Sequence, residues 1–165
     1  MYAAIITGLG VLALDQLTKQ LVSSNMYLGE SIPPEGWVRL TYGVNTGAAF
    51  GLFRDHTLTL TVLSVFAIGF LVYFYRMHSQ LHPLFRLALG LQLGGAIGNL
   101  IDRVRLGSVV DFIDIGPWPI FNVADSAVVV GVALLAFLVF RHSPDKKTPQ
   151  PETEDGGNAS RSDLN

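Results

Sequence analysis

The sequence contains no cysteine, which excludes disulfides, thiolate metal sites and a cysteine nucleophile. It has no HExxH pair, and its four histidines (His56, His78, His82 and His142) stand in or beside connectors without ligand spacing. No metal or other cofactor is expected. Charge is scarce: only 15% of the 165 residues are Asp, Glu, Lys or Arg, and the net charge is −2 with no basic stripe. Nucleic acid is therefore not an expected partner. A soluble domain of this size needs more polar surface than this. Half of the residues are hydrophobic and mean hydropathy is positive at +0.42. The charges gather in connectors and in the tail, leaving apolar blocks between them, as in an integral membrane protein.

Four blocks approach the roughly 20 residues that a helix needs to cross a bilayer: residues 3–22, 58–75, 84–101 and 122–140. The first lacks the basic start and continuous apolar run of a cleavable signal, because Asp15 and Lys19 interrupt it; it reads as an uncleaved helix. The expected fold is an all-α membrane protein, a four-transmembrane-helix bundle forming one domain over residues 1–142. A tail rich in Pro, Gly, Ser and acids follows over 143–165 and reads as disordered. Arg76, Arg86, Arg141, Lys146 and Lys147 flank one side of the bundle, and Arg39, Arg54, Arg103 and Arg105 the other. The bias puts both termini in the cytoplasm and the first and third connectors outside. In the first connector Val38, Leu40, Tyr42 and Val44 alternate with Arg39, Thr41, Gly43 and Asn45, the period of a half-buried strand. Asn45-Thr46-Gly47 supplies a turn and residues 48–53 a returning strand, so a small extracytoplasmic β-ribbon is expected against the membrane surface.

Charged side chains at bilayer depth cost several kcal/mol unless they pair, face the bundle interior or reach water. Asp15 and Lys19 are four apart on one helical face, with Gly8 above them. Gly90, Gly94, Gly98 and Asp102 form a row at a spacing of four, which lets helices pack backbone to backbone and turns Asp102 inward. Asn99 and Arg103 adjoin that row. Asn122 and Asp125 open the fourth helix, and Asp111 lies in the apolar stretch Val109-Val110-Asp111-Phe112-Ile113 of the third connector. Singly, each feature has a packing, bracing, turn or snorkelling explanation. Jointly, the expected topology brings them all to one depth at the outer interface, together with Asn45.

Two neighbouring carboxylates in apolar surroundings cannot both ionise cheaply, so one keeps a proton and the pair offers a general base and a general acid at one pH. That suits hydrolysis of an amide by water. Asp111 and Asp125 are the expected pair; Asp102, held ionised by Arg103, is the rival, and Asp114 and Asp15 rank lower. A Ser126–Lys19 dyad is the alternative nucleophile arrangement, weakened because Asp15 keeps Lys19 charged. The alternative function is a small ion- or proton-coupled transporter, which would place its acids near the midplane and often shows repeats. No repeat is found here.

Five blocks carry a resemblance: Asp15-Gln16-x-x-Lys19, Asn45-Thr46-Gly47-Ala48-Ala49-Phe50, Gly94-Gly95-Ala96-x-Gly98-Asn99-x-x-Asp102-Arg103, Val109-Val110-Asp111-Phe112 and Phe121-Asn122-x-Ala124-Asp125-Ser126. In this order they resemble the bacterial lipoprotein signal peptidases. The resemblance implies a four-helix inner-membrane aspartic endopeptidase with a periplasmic β-cradle. Its substrates would be prolipoproteins carrying diacylglyceryl on the cysteine after the signal peptide, cut just before that cysteine. It further implies that Asp111 and Asp125 are catalytic, that Asn45, Gly47, Asn99, Arg103 and Asn122 line the site, and that Asp15, Lys19 and Asp102 support it. Membrane lipid and globomycin-type cyclic peptides, which inhibit the family, are the other implied partners.

Overall fold

The computed structural model describes residues 2–47, 56–77 and 82–141. Among them are four helices, α1 (Tyr2–Asn25), α2 (Thr57–Met77), α3 (Pro83–Leu106) and α4 (Val123–Arg141), and three strands, β1 (Ser31–Ile32) and β2 (Arg39–Asn45) between α1 and α2, and β3 (Val109–Asp114) between α3 and α4. Each helix is long and apolar enough to cross a membrane. The expected tail from residue 143 lies outside the described residues. So do residues 48–53, expected as a returning strand.

Burial in the helices is inverted relative to a water-soluble protein. On α1, Asp15 and Lys19 are buried at 0% and 3% exposure while Leu17 and Leu21 are both 63% exposed. Apolar side chains facing outward and charges facing inward minimise free energy only when the surroundings are hydrocarbon. α3 is the central helix, and glycine makes it so. A methyl group on Gly94 would lie 2.5 Å from the Gly8 carbonyl oxygen of α1, and one on Gly90 would lie 2.6 Å from that of Ala4. On the adjoining face Gly95 abuts the Ala124 carbonyl of α4. Backbones this close gain dispersion and exclude any larger residue. α2 packs on α3 and makes no comparable contact with α1 or α4 among the described residues; its buried residue is Leu60. The bundle is thus open on the side between α2 and α4.

α3 runs to Leu106, past the expected end at Ile101, and stops where Gly107 takes a left-handed φ of 72° and donates its N–H to the Arg103 carbonyl. The chain then enters β3 directly. The three strands form one antiparallel sheet in the order β1-β2-β3. Within it Ser31 pairs with Thr41, Arg39 with Asp114, Gly43 with Asp111 and Asn45 with Val109, with a register shift between Leu40 and Gly43. The strand expected over 38–45 is therefore present as β2, paired within the first connector with β1 and completed by a strand from the third, the one that carries Asp111. Val22 and Met26 at the end of α1 pack with Phe112 of β3, and Tyr42, Ile113 and Val123 close around them. Each apolar side chain buried there contributes about 1.5–3 kcal/mol and fastens the sheet to the end of the bundle where α1 finishes.

Candidate active site

Asn122 is fully buried and stands immediately before α4. Its side-chain oxygen accepts from the Asp125 N–H at 2.9 Å, and the Asp125 carboxylate accepts from the Asn122 N–H at 3.3 Å. This reciprocal pair is a capping box, with Asp125 at the third helical position. The cap turns the Asn122 amide nitrogen toward β3, where it donates to Asp111 Oδ1 at 2.7 Å and lies 3.2 Å from both the Val110 carbonyl and Asn99 Oδ1. One asparagine thereby touches both candidate carboxylates.

Two further amides complete the pair's surroundings. The Gly47 N–H donates to Asn45 Oδ1 at 2.9 Å, a local turn bond that leaves the Asn45 Nδ2 free to donate to Asp111 Oδ2 at 3.1 Å. Asn45 reaches Asp111 diagonally across the sheet. The residue directly opposite Asp111 is Gly43, which has no side chain to obstruct it. On α3, Asn99 donates to Asp125 Oδ1 at 2.8 Å. Its oxygen accepts from Lys19 Nζ at 2.9 Å, and since an ammonium can only donate, this contact fixes which end of the amide meets Asp125.

Among the described residues no cation lies within ion-pair distance of Asp111 or Asp125; Lys19 is paired to Asp15 and Asp102, both at 2.9 Å. The donors to the pair are neutral amides, which orient both carboxylates without forcing both to ionise. The Asp111 carboxyl is pushed up to about 7, first by burial and next by the Asp125 charge, against the hydrogen bonds from Asn45 and Asn122 and the field of Lys19. That is the environment in which one proton stays on a carboxylate pair near neutrality.

Beneath the pair lies the cluster of Asp15, Lys19 and Asp102. Asp15 Oδ1 accepts the Ala124 N–H at 2.9 Å, and Asp102 Oδ2 accepts the Val110 N–H at 3.2 Å. Gln16, absent from the expected site residues, donates to Asp102 Oδ1 at 3.0 Å and to Asp15 Oδ2 at 3.2 Å. Asp102 is thus part of the cluster under the pair rather than a member of the pair.

A cavity of about 600 Å³ opens over the carboxylates. Asn45, Gly47, Asn99, Arg103, Asp111 and Asp125 supply its polar wall. Ser64 of α2, Ala96 of α3 and Val128 to Val130 of α4 carry it down between the helices, while Ile115 and Trp118 to Phe121 form its outer lip. Arg103 is half-buried and within electrostatic reach of Asp125, Asp111 and Asp102. Ser126 also lines the cavity, but its hydroxyl donates to the Asn122 carbonyl at 2.9 Å. Every residue expected at the site is brought to this end of the bundle. The sequence reading missed Gln16, Ser64 and the lip. An Asn-x-x-Asp capping signal at 122–125 was available; nothing local marks Ser64 or the lip.

The comparisons agree with this architecture. The family model for signal peptidase II matches residues 7–141, and the class so defined is a membrane-embedded peptidase. The lipoprotein signal peptidase of Moorella thermoacetica is 46% identical over 134 residues, covering 81% of this chain and 89% of that protein. Those of Shouchella clausii and Geobacter sulfurreducens are 44% and 46% identical, over 87% and 84% of this chain and 97% and 91% of theirs. A bacterial membrane enzyme solved by the in meso method at 2.3 Å superposes with a TM-score of 0.82 at 32% identity, over 91% of this chain and 94% of that one. The chain belongs to the signal peptidase II family.

Proposed function

We propose that the protein is an aspartic endopeptidase of the bacterial inner membrane. It removes the signal peptide from diacylglyceryl-modified prolipoproteins by cutting just before the lipid-bearing cysteine. The observation that carries this reading is the coupling of Asp111 and Asp125 through Asn122 at the floor of a cavity open toward the membrane. The ionised carboxylate takes a proton from water as the oxygen attacks the scissile carbonyl. The protonated one gives its proton to the carbonyl oxygen, forming a neutral gem-diol. The newly protonated carboxylate then gives its proton to the amide nitrogen while the other takes one from a gem-diol hydroxyl; the C–N bond breaks, the amine leaves, and the pair again holds a single proton. Asn45 and Asn99 keep the two carboxylates oriented through both steps.

The open side between α2 and α4 supports lateral entry of a lipid-anchored substrate, its acyl chains against Val128 to Val130 and its polar backbone at the carboxylates. Membrane lipid and cyclic peptides of the globomycin type would occupy the same cavity. The serine alternative fares worse, because Lys19 is held by two carboxylates and Asn99 and has no free lone pair to act as a base. A transporter would need its acids near mid-bilayer, whereas these cluster at one end.

The test is release of signal peptide by the purified chain from a diacylglyceryl-modified precursor, beside an unlipidated control. Cleavage of the first alone is expected; failure on both removes the proposal. The site is taken to face the periplasm, with both termini and the 143–165 tail in the cytoplasm, as the flanking arginines suggest. A reporter fused after Arg141 should then be active only in its cytoplasmic form, and periplasmic activity would reverse the orientation.

A further inference from the structure

We infer that Gln16 is a positioning residue for the carboxylate pair, acting through the two backbone amides that precede the aspartates. The inference rests on the proposed peptidase reading. Val110 precedes Asp111, and its N–H is held by Asp102; Ala124 precedes Asp125, and its N–H is held by Asp15. The separation of β3 from the start of α4 therefore follows the separation of the Asp102 and Asp15 carboxylates. Those two groups carry like formal charge, and one ammonium, Lys19, stands between them at 2.9 Å from an oxygen of each.

Lys19 alone does not fix the geometry, because it grips each carboxylate by a single oxygen and leaves both able to pivot. Asp15 is stopped from pivoting by its second oxygen, which holds Ala124. For Asp102 the second oxygen accepts from Gln16 Nε2, its one donor among the described residues. The same nitrogen lies 3.2 Å from Asp15 Oδ2 and 3.3 Å from the Gly98 carbonyl. Gln16 is thus the second clamp across the pair, and it ties that clamp to the backbone of α3. Without it, Asp102 Oδ1 is orphaned at 4% exposure, where water cannot replace the lost bond. The carboxylate then turns toward Lys19 and takes Val110 and Asp111 with it. Gln16 does not line the cavity, so the effect falls on the chemical step and not on substrate binding.

The side chain is half-buried, so leucine at this place removes the donor without demanding new space. The test uses the full chain in lipid bicelles with a diacylglyceryl-modified precursor, measuring kcat, KM and the unfolding temperature for Gln16→Leu, Gln16→Lys and Gln16→Glu. Gln16→Leu should lower kcat on the order of tenfold, below the roughly 10²-fold that a 1 Å misplacement can cause, with KM within about twofold. Gln16→Lys restores a donor and should recover most of kcat. Gln16→Glu sets an acceptor against two acceptors and should fall below leucine. A common kcat in all three, a loss residing in KM, or losses that track the unfolding temperature whatever the donor would overturn the inference. Should the leucine variant not fold, equal kcat in the lysine and glutamate variants would overturn it just as well. A wild-type chain that leaves the precursor intact would instead refute the peptidase reading itself.

Discussion

Asp111 and Asp114 stand three residues apart on β3, and each is 4% exposed. Their surroundings make opposite groups of them. Burial alone would push the Asp114 carboxyl up, but the Gly116 N–H, the Arg39 guanidinium and the Thr41 hydroxyl outweigh it and hold the group below the usual carboxylate range. Arg39 donates to one Asp114 oxygen through Nε at 3.0 Å and Nη2 at 2.7 Å. Asp111 is as little exposed but lies deeper, with only neutral amide donors among the described residues and Asp125 for a neighbour, so its carboxyl is pushed the other way, first by burial. Burial therefore makes an acid of a carboxylate only where no cation is buried with it. One strand holds a cross-strand tie and a candidate proton donor.

The largest effect expected from this contrast is on turnover. Asparagine keeps the size of aspartate but neither accepts a proton from water nor carries one. Asp111→Asn and Asp125→Asn should each lower cleavage by about 10²–10⁴-fold in a folded protein. The double variant should be scarcely worse than either single, because groups acting as one unit are not additive. Asp114→Asn should keep most of the activity at temperatures where the sheet is intact. Peptide release, with helicity checked on each variant, measures all four; a fully active Asp111→Asn, or a dead but folded Asp114→Asn, breaks the contrast.

The next effect is on stability. Arg39→Ala leaves the Asp114 carboxylate buried without its cation, while Asp111→Asn removes no ion pair. The loss should be about 1–3 kcal/mol, toward the lower end because the Arg39 side chain is 29% exposed and partly screened. Thermal unfolding of Arg39→Ala and Arg39→Lys reads it. An unchanged midpoint in Arg39→Ala would show that the tie is made by Thr41 and Gly116 alone.

The two groups also separate by pH. The Asp111 carboxyl is raised in the folded state, so its contribution to stability is complete below the ordinary carboxylate pKa of about 3.9 and is lost as pH rises to about 7. The Asp114 carboxyl is lowered, so its contribution is complete above the ordinary value and is lost only as pH falls through its folded pKa. Between about pH 4 and 7, wild-type stability should decline through Asp111 alone of the two, and Asp111→Asn should flatten that decline. Cleavage should likewise fall above about pH 7 as the pair loses its shared proton. A rate that climbs steadily to pH 9 would place the acid elsewhere.

How much of this was legible in the sequence differs from element to element. The four helices are written in apolar blocks of bilayer length, because each must satisfy its own backbone within hydrocarbon. The glycine row at 90, 94 and 98 announces close packing for the same reason, and α1 supplies Ala4, Gly8 and Asp15 to meet it. The acids at 111 and 125 stand out as charges set in apolar stretches. The pairing of β2 with β3 was not legible. Val109–Asp114 is buried on nearly every side, so it shows no alternation, and its register against β2 includes a shift that no local signal marks. The division of labour between Asp111 and Asp114 was hidden for the same reason. The cation that neutralises Asp114 arrives from Arg39, 75 positions away in the chain.

The smallest effect is expected where a third polar group meets the cavity. Ser126 adjoins Asp125 in sequence and lines the same cavity, so if a serine were the nucleophile the contrast between Asp111 and Asp114 would concern field and fold rather than proton transfer. Its hydroxyl, however, donates to the Asn122 carbonyl at 2.9 Å, an oxygen that also accepts the Ser126 N–H at 3.2 Å. A serine bonded back onto its own helix needs its proton taken by a base, and Lys19, its partner in the alternative dyad, is saturated by Asp15, Asp102 and Asn99. Ser126→Ala removes a second bond to an already bonded carbonyl and adds no volume. Cleavage should stay within about threefold of wild type and stability within about 1 kcal/mol, the ordinary net worth of one such bond. Measured beside Asp125→Asn under the same conditions, a folded Ser126→Ala protein that releases no signal peptide would transfer the chemistry to the serine. Near-full activity leaves the two aspartates as the groups that move the proton.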